Sequence, residues 1–297
     1  MSPVTSTGVA VAFALLTALA NAAAVMMQHV ATTAGDHRGW AWVRHVVRHP
    51  LWLFGWVGML GSLVFQALAL HAGPLSLVQP LLVSELVLAL VLRRLWRRQR
   101  LSPRAWASAA VTTLALATVL VATDPHGVAH TPTRTAWVAT TLASALAVVV
   151  LVLFARGAGP VRRAASFATA TAVLWALEAT FIKSATDALV GGGVGALLTS
   201  WPLYALVVAG LGGLTTEQLA LREGPLRVSQ PLIVIVDPLV SVLYGVGLFR
   251  EHLASGWGVA VVAGVAGIAV CAGVVVMTTT VPESLVPEAL PASPEGD

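Results

Sequence analysis

The sequence is short of charge. Only 10% of its 297 residues are Asp, Glu, Lys or Arg, whereas 57% are hydrophobic, and the mean hydropathy is +0.85. Soluble globular chains carry about 25% charged residues. This composition excludes an ordinary water-soluble domain, and we expect the chain to be folded in lipid.

Cysteine, lysine and asparagine each occur once, at Cys271, Lys183 and Asn21. A single cysteine excludes an intramolecular disulfide and a cysteine metal cluster. Abundant Ala, Val, Leu and Gly, with sixteen arginines against one lysine, indicate GC-rich coding and favour a bacterial source. A pI near 10.2 raises nucleic acid as a partner. The arginines form short runs between apolar segments rather than one basic face, so nucleic-acid binding is not expected.

Signatures of catalysis are also missing. The chain has no Gly-Lys-Ser/Thr loop for nucleotide phosphates, and its eight histidines show no zinc-binding spacing. We therefore expect no enzyme activity and no cofactor.

Long apolar runs, in contrast, fill most of the chain. A hydrocarbon core about 30 Å thick needs about 20 residues of helix. Nine runs meet this length: residues 7–30, 51–71, 74–92, 105–122, 135–154, 165–185, 200–221, 225–249 and 256–277. No Lys or Arg precedes the first run, as a signal peptide would require, so we predict a retained helix. The sequence thus predicts an all-α, polytopic membrane protein with about nine transmembrane helices.

Arginine placement predicts the orientation. Fourteen of the sixteen arginines fall in the loops after the first, third, fifth and seventh runs, and only Arg134 and Arg250 fall on the opposite side. Cytoplasmic loops carry the Lys/Arg excess. We predict an outside N-terminus and a cytoplasmic C-terminus in the cytoplasmic membrane. Residues 278–297 are Pro-rich and acidic, which predicts a disordered cytoplasmic tail.

One stretch occurs twice. "GSLVFQALALHAGPLSLVQPLL" (61–82) aligns with "GGLTTEQLALREGPLRVSQPLI" (212–233), with 11 of 22 positions identical. Because five runs separate the copies, they are expected to have opposite orientations, as two inverted repeats. We place the first repeat in residues 1–130 and the second in 131–277. The fifth run has no counterpart, so one helix of a five-plus-five plan is missing.

Inverted repeats are the construction from which alternating access arises in transporters. Pro80 and Pro231 each remove a helical N–H group, and Gln79 and Gln230 place amides beside the resulting gap. Together with Pro238, these prolines predict helix breaks at a central cavity. The alternative is that the prolines only kink the helices and the glutamines bond the freed carbonyls.

These stretches resemble the drug/metabolite transporter superfamily, in particular its EamA-like and NIPA-like branches. "HPLWLFGWVG" (49–58) resembles the start of the second helix in the NIPA-like branch, with His49 in place of asparagine. "GPLSLVQPLL" and "QLALREGPLRVSQPLIVIVDPLVSVLYGVGLFREHL" resemble the apolar-Pro-Leu motif and the second-half pattern. The resemblance spans about residues 5–277. It implies a ten-helix plan without its first helix and a solute carrier, and the NIPA-like branch is associated with magnesium. "SELVLALVL" lacks the proline found in "VDPLVSVL".

Ionisable groups in the apolar runs are costly in lipid and often functional. Glu85 and Asp237 occupy nearly equivalent positions of the two copies, close to mid-membrane. Two such carboxylates facing one cavity could bind a metal cation or carry a proton; the alternative is that each only fixes packing. Glu178 and its weak counterpart Asn21 are further cavity candidates. Lys183 is expected to reach the outer surface, and Glu217 is either interfacial or functional.

The leading hypothesis is a secondary transporter that moves a small solute by alternating access, coupled to protons or other ions. The alternatives are a magnesium or other divalent-cation transporter and, from another class, a non-transporting membrane scaffold or enzyme. The expected partners are a small-molecule or cation substrate and membrane lipid. The sequence leaves a homodimer open.

Overall fold

The fold is a bundle of α-helices, seen in a computed structural model that describes residues 3–33, 49–97, 102–126, 131–224 and 226–280. Within these ranges, the only β pairing is an isolated bridge between His126 and His252. The helices are α1 (Pro3–Thr33), α2 (Pro50–Ala72), α3 (Leu75–Leu82), α4 (Ser84–Arg97), α5 (Pro103–Thr123), α6 (Arg134–Ala155), α7 (Pro160–Thr199), α8 (Trp201–Arg222), α9 (Leu226–Gly247) and α10 (Trp257–Thr280).

Nine segments of the described chain are long and apolar enough to cross a membrane, with α3 and α4 together forming the third. The exposed surface of these segments is itself apolar: Leu114 is 69% exposed, Val121 81% and Ile268 72%. Surfaces of this kind are stable in lipid and rare in water-soluble monomers. The prediction of an all-α polytopic membrane protein is confirmed. The predicted tail began at residue 278, but residues 278–280 belong to α10, and the rest of the tail lies outside the described residues. The predicted boundary between the halves stays a prediction.

Helix starts follow local capping rules. Pro50, Pro103 and Pro160 each occupy the first turn of a helix, where a missing N–H group costs nothing. Ser102 and Thr133 accept hydrogen bonds from Ala105 N and Ala136 N, which caps α5 and α6.

The two Gly-Pro turns lie at opposite ends of the bundle. In the Gly73 turn (residues 71–76), the carbonyl of Gly73 accepts a hydrogen bond from Lys183 of α7. The Gly224 turn comprises residues 222–227, of which Pro225 lies outside the described residues. A Cβ on Gly224 would clash with the carbonyl of Pro160, at the start of α7. Lys183 and Pro160 are about 35 Å apart along α7. The two copies of the repeated stretch therefore run in opposite directions.

Helix packing follows the same pseudo-symmetry. α1 packs along α2 as α7 packs along α8, and α1 meets α3 and α4 as α7 meets α9. α5 and α10, the last helices of the two halves, pack against each other, and at their contact Gly273 leaves no room for a Cβ beside Thr112. Small residues at such crossings allow the close approach that association in lipid requires.

The helix breaks differ from those predicted. Pro231 and Pro238 lie inside the continuous helix α9, so the predicted breaks at these two prolines are wrong. The break instead follows Pro80, at Val83, where the Val83 N–H bonds to the Pro80 carbonyl in a short-range turn. A proline removes only its own N–H bond, and neighbouring helices can hold the backbone straight around it. The sixth run is also longer than predicted, because α7 extends to Thr199 with a kink at Gly193, whose φ is 71°.

Candidate functional site

The first polar pair inside the membrane joins α1 to α4. Asn21 Nδ2 donates a hydrogen bond to Glu85 Oε2 at 2.8 Å. Glu85 lies in the first turn of α4, just after the break at Val83, where the helix N-terminus favours a carboxylate. The break therefore creates the local environment in which an acidic side chain is tolerated at this depth.

The second pair joins α7 to α9. The Glu178 carboxylate is close enough to Asp237 for the two charges to interact. Ser241 Oγ donates to Asp237 Oδ1 at 3.2 Å, and Glu178 lies against Gly210 of α8, where a Cβ would come within 3.1 Å of Glu178 Oε1. Both acids are half-buried. Two carboxylates within electrostatic range repel each other when both are ionised, and protonation of one or binding of a cation would relieve this repulsion.

The two pairs lie in corresponding helices of the two halves. Asn21 of α1 is the weak counterpart of Glu178 of α7, and Glu85 lies within one position of the counterpart of Asp237. The structure joins Asn21 to Glu85 by a hydrogen bond and places Glu178 within electrostatic range of Asp237, each within one half. Where the first half has a neutral amide, the second half has an acid.

Glu85 and Asp237, expected to share one site, each have a different acidic neighbour. Glu85 is within electrostatic range of Glu217 on α8, whereas Asp237 is within electrostatic range of Glu178. In the described part of the chain, no group of three His, Cys, Asp or Glu side chains is arranged to hold a metal ion. A cation at this site would therefore need ligands from the solute or water in addition to one carboxylate pair.

The repeated glutamines lie in unequal surroundings. Gln79 on α3 is 2% exposed, and its Nε2 is buried without a hydrogen-bond partner, as is the hydroxyl of Ser84 beyond the break. Gln230 on α9 is half-buried. A buried amide without a partner costs stability, so Gln79 is a donor left available inside the bundle.

Three further contacts were not predicted from the sequence. Lys183 Nζ donates to the carbonyls of Leu70 and Gly73, and its expected reach to the outer surface stays a prediction. Glu251 is 5% exposed and accepts hydrogen bonds from the start of α3. The buried Trp137 lies in a cluster of aromatic rings at the same end of the bundle. No local pattern in the sequence predicts these contacts. The occurrence of only one lysine in the chain was the one sequence feature that pointed to Lys183.

A cavity of about 740 Å³ lies at the N-terminal ends of α6 and α8. Its walls are mostly apolar and include Trp137 and Trp201, with Arg134 as the charged member. None of the acidic residues of the two pairs lines it, so it is separate from the candidate site.

Comparisons with known proteins give little guidance on function. No family model matches the chain, and no solved structure matches it. An uncharacterized protein of Corynebacterium glutamicum is 27% identical over 199 residues, which cover 66% of this chain and 68% of that protein. The similarity extends over most of both chains but carries no assigned activity.

Proposed function

We propose that the protein is a secondary transporter of the drug/metabolite transporter superfamily, similar to its EamA-like and NIPA-like branches, that moves a small solute by alternating access. The observation that carries the proposal is the placement of polar side chains inside membrane-spanning helices of both halves: Asn21 is hydrogen-bonded to Glu85, and Glu178 lies within electrostatic range of Asp237. Inverted halves around a central polar site can exchange conformations and open the site to either side.

The Glu178–Asp237 pair is the proposed coupling site. Binding of a proton or cation relieves the repulsion between its carboxylates, and release restores it, so occupancy changes the contact between α7 and α9. Asn21, Glu85, Gln79 and Gln230 would then contact the solute with amide and carboxyl groups. No step of this cycle requires a catalytic group or a cofactor, and we propose no enzyme activity.

Reconstituted vesicles test the proposal. Purified protein in proteoliposomes containing a pH-sensitive dye is exposed to amino acids, nucleotides, organic cations and divalent metals. We expect one class to drive proton movement, and Glu178→Gln or Asp237→Asn to reduce it at least about tenfold, a loss of about 1.4 kcal/mol in transition-state or binding free energy. Asp124→Asn is the matched control, because Asp124 is an exposed acid outside the spans. Unchanged flux in both variants would remove the pair from the mechanism.

A divalent-cation transporter, including one for magnesium, is the second candidate. The carboxyl groups of Glu178 and Asp237, which lie within electrostatic range of each other, favour it, since oxygen ligands suit Mg²⁺. In a host that depends on added magnesium, the wild-type chain would restore growth, and Asp237→Asn or Glu178→Gln would not. Equal rescue by wild type and both variants would exclude a role for these carboxylates in cation transport.

The proposed location is the cytoplasmic membrane, with the N-terminus outside and the C-terminus inside. The arginine distribution supports it. Tags on the two termini should be accessible from opposite sides of intact cells, and accessibility of both from one side would contradict an odd number of crossings. A membrane scaffold or enzyme, the remaining alternative, would show no solute flux while its acid-to-amide variants changed assembly or stability.

A further inference from the structure

The Gly73 turn is bound on one side by a lysine from the other half of the molecule. Lys183 Nζ of α7 donates to the carbonyl of Leu70 and, at 2.8 Å, to the carbonyl of Gly73. These carbonyls end α2, where the last turn of a helix has unsatisfied acceptors and a partial negative charge. The single lysine of the chain therefore caps a helix more than 100 residues away in sequence.

The other side of the turn is bound by a glutamate. Glu251, which follows α9, accepts hydrogen bonds from Leu75 N at 2.6 Å, Ser76 N at 2.9 Å and Ser76 Oγ at 2.7 Å. Pro74 occupies the N-cap position of α3 and has no side chain that can cap it. Glu251 supplies the cap instead. Gly245 leaves room for this carboxylate, because a Cβ there would clash with Glu251 Oε2.

Aromatic rings close the same end of the bundle. Trp137 stacks on Phe181, with 5.5 Å between the ring centres, and packs edge-on against Trp201, with 5.0 Å between the ring centres. The ring of Phe249 is also edge-on to Trp137, at 6.1 Å between centres. Lys183 Nζ lies 5.6 Å from the centre of the Phe249 ring, so the cation and the ring cluster form one packed unit. His71 adds a contact to Asp187 of α7 at 2.6 Å.

We propose that Lys183 and Glu251 form a latch that holds the Gly73 turn against α7 and the end of α9 and closes the path at the Gly73 end, with Lys183 bound to the end of α2 and Glu251 to the start of α3. The proposal rests on the proposed transport function, because alternating access requires this end to open. Opening moves the Gly73 turn away from both charges and takes Gln79, one turn into α3, with it. The latch thus couples the position of a candidate solute-binding amide to the closure of the Gly73 end.

A buried thiol on α3 reports opening without any knowledge of the solute. Val78 is 0% exposed, and the reporter is Val78→Cys in a chain whose own thiol is removed by Cys271→Ser. Modification by a membrane-impermeant maleimide is measured in right-side-out and in inverted vesicles, so the result does not depend on the predicted orientation. The labelling rate of a buried group follows the population of the open form.

We expect slow labelling of the parent and an increase of at least about tenfold, from one side only, in Glu251→Gln and Lys183→Met. Lys183→Arg, which keeps the cation, should stay close to the parent rate. Glu223→Gln is the matched control: it makes the same chemical change at the Gly224 turn and should not increase labelling. Rates within twofold of the parent in both latch variants would overturn the proposal.

Amide hydrogen exchange provides a second measurement that does not need the reporter thiol. The Leu75 and Ser76 amides are bonded to Glu251, so the peptide that contains them should exchange slowly in the parent and at least about tenfold faster in Glu251→Asp and Glu251→Gln. Equal exchange would contradict the latch. A failure of the transport proposal would look different. The parent and the variants would then show no flux with any solute, whatever their labelling and hydrogen-exchange rates.

Discussion

The Gly73 turn and the Gly224 turn share a Gly-Pro-Leu and a Gln-Pro-Leu at the same spacing, yet different groups hold them. The Gly73 turn is bound by the buried carboxylate of Glu251 and the ammonium group of Lys183. At the Gly224 turn, Arg163 pairs with Glu223 at 2.9 Å, with 41% and 31% of their side chains exposed. A half-exposed ion pair contributes little, whereas buried bonds from a charged group contribute more.

Duplication therefore gave the two halves the same backbone plan but not the same stability at their ends. Glu251 and Lys183 lie outside the duplicated stretch, so one copy gained tight contacts that the other did not share. In a transporter built from inverted halves, such asymmetry favours the conformation that is closed at the better-bonded end. In the structure, aromatic rings pack at the Gly73 end.

The largest effect is expected when the carboxylate that binds each turn is removed: Glu251 at the Gly73 turn and Glu223 at the Gly224 turn. Glu251→Ala leaves two buried N–H groups and a hydroxyl at the start of α3 without their acceptor, and we expect it to lower the free energy of unfolding by about 2–5 kcal/mol. Glu223→Ala should cost less than about 1 kcal/mol. Thermal unfolding in detergent, monitored by size-exclusion chromatography, measures both losses of stability. Equal losses would show that the two turns are held equally well.

The glycines of the two turns allow a finer comparison. A Cβ on Gly224 would meet the backbone carbonyl of Pro160, whereas a Cβ on Gly73 would meet the side chain of Ala10. A carbonyl in a helix can move less than a methyl group, so Gly224→Ala should cost about 1–3 kcal/mol and Gly73→Ala less. Gly264→Ala is the control, because a Cβ on Gly264 would lie in open space. A larger loss in Gly73→Ala would reverse our ranking of the two sites.

The smallest effect is expected at the repeated glutamines. Replacing the unpartnered amide of Gln79 by the apolar side chain of Met should leave stability unchanged or raise it by about 1 kcal/mol, because a buried donor without a partner is removed. Gln230→Met, at a half-buried position, should change stability less. If Gln79 contacts the solute, its variant should lose flux while remaining stable. A marked loss of stability would instead give Gln79 a structural role.

The sequence predicted the spans well because their length and hydropathy are local properties. The run at 51–71 became Pro50–Ala72, and the run at 105–122 became Pro103–Thr123. The duplication correctly predicted opposite orientation of the two copies. Asn21 and Glu178, which were predicted as weak counterparts, each lie near an acidic residue of another helix in their own half, and their functional role stays a prediction.

Partner choice was harder to predict because it depends on contacts between distant parts of the chain. The hydrogen bond from Leu75 to Glu251 joins residues 176 positions apart, and no periodicity or motif encodes it. The position of the helix break also failed to follow the prolines, since α9 accommodates two of them without a break. Packing by neighbouring helices decides whether a proline bends a helix, and that packing is not visible in the sequence.

The single lysine has a practical consequence for chemistry on the unmodified protein. Apart from the terminal amine, the chain offers one primary amine to acylating reagents, and it is held by the carbonyls of Leu70 and Gly73. An amine engaged in this way reacts slowly, and reacts faster when its hydrogen bonds open. Mass spectrometry of acylated peptides would therefore read the state of the Gly73 end in native membranes, without an engineered probe and without knowledge of the solute.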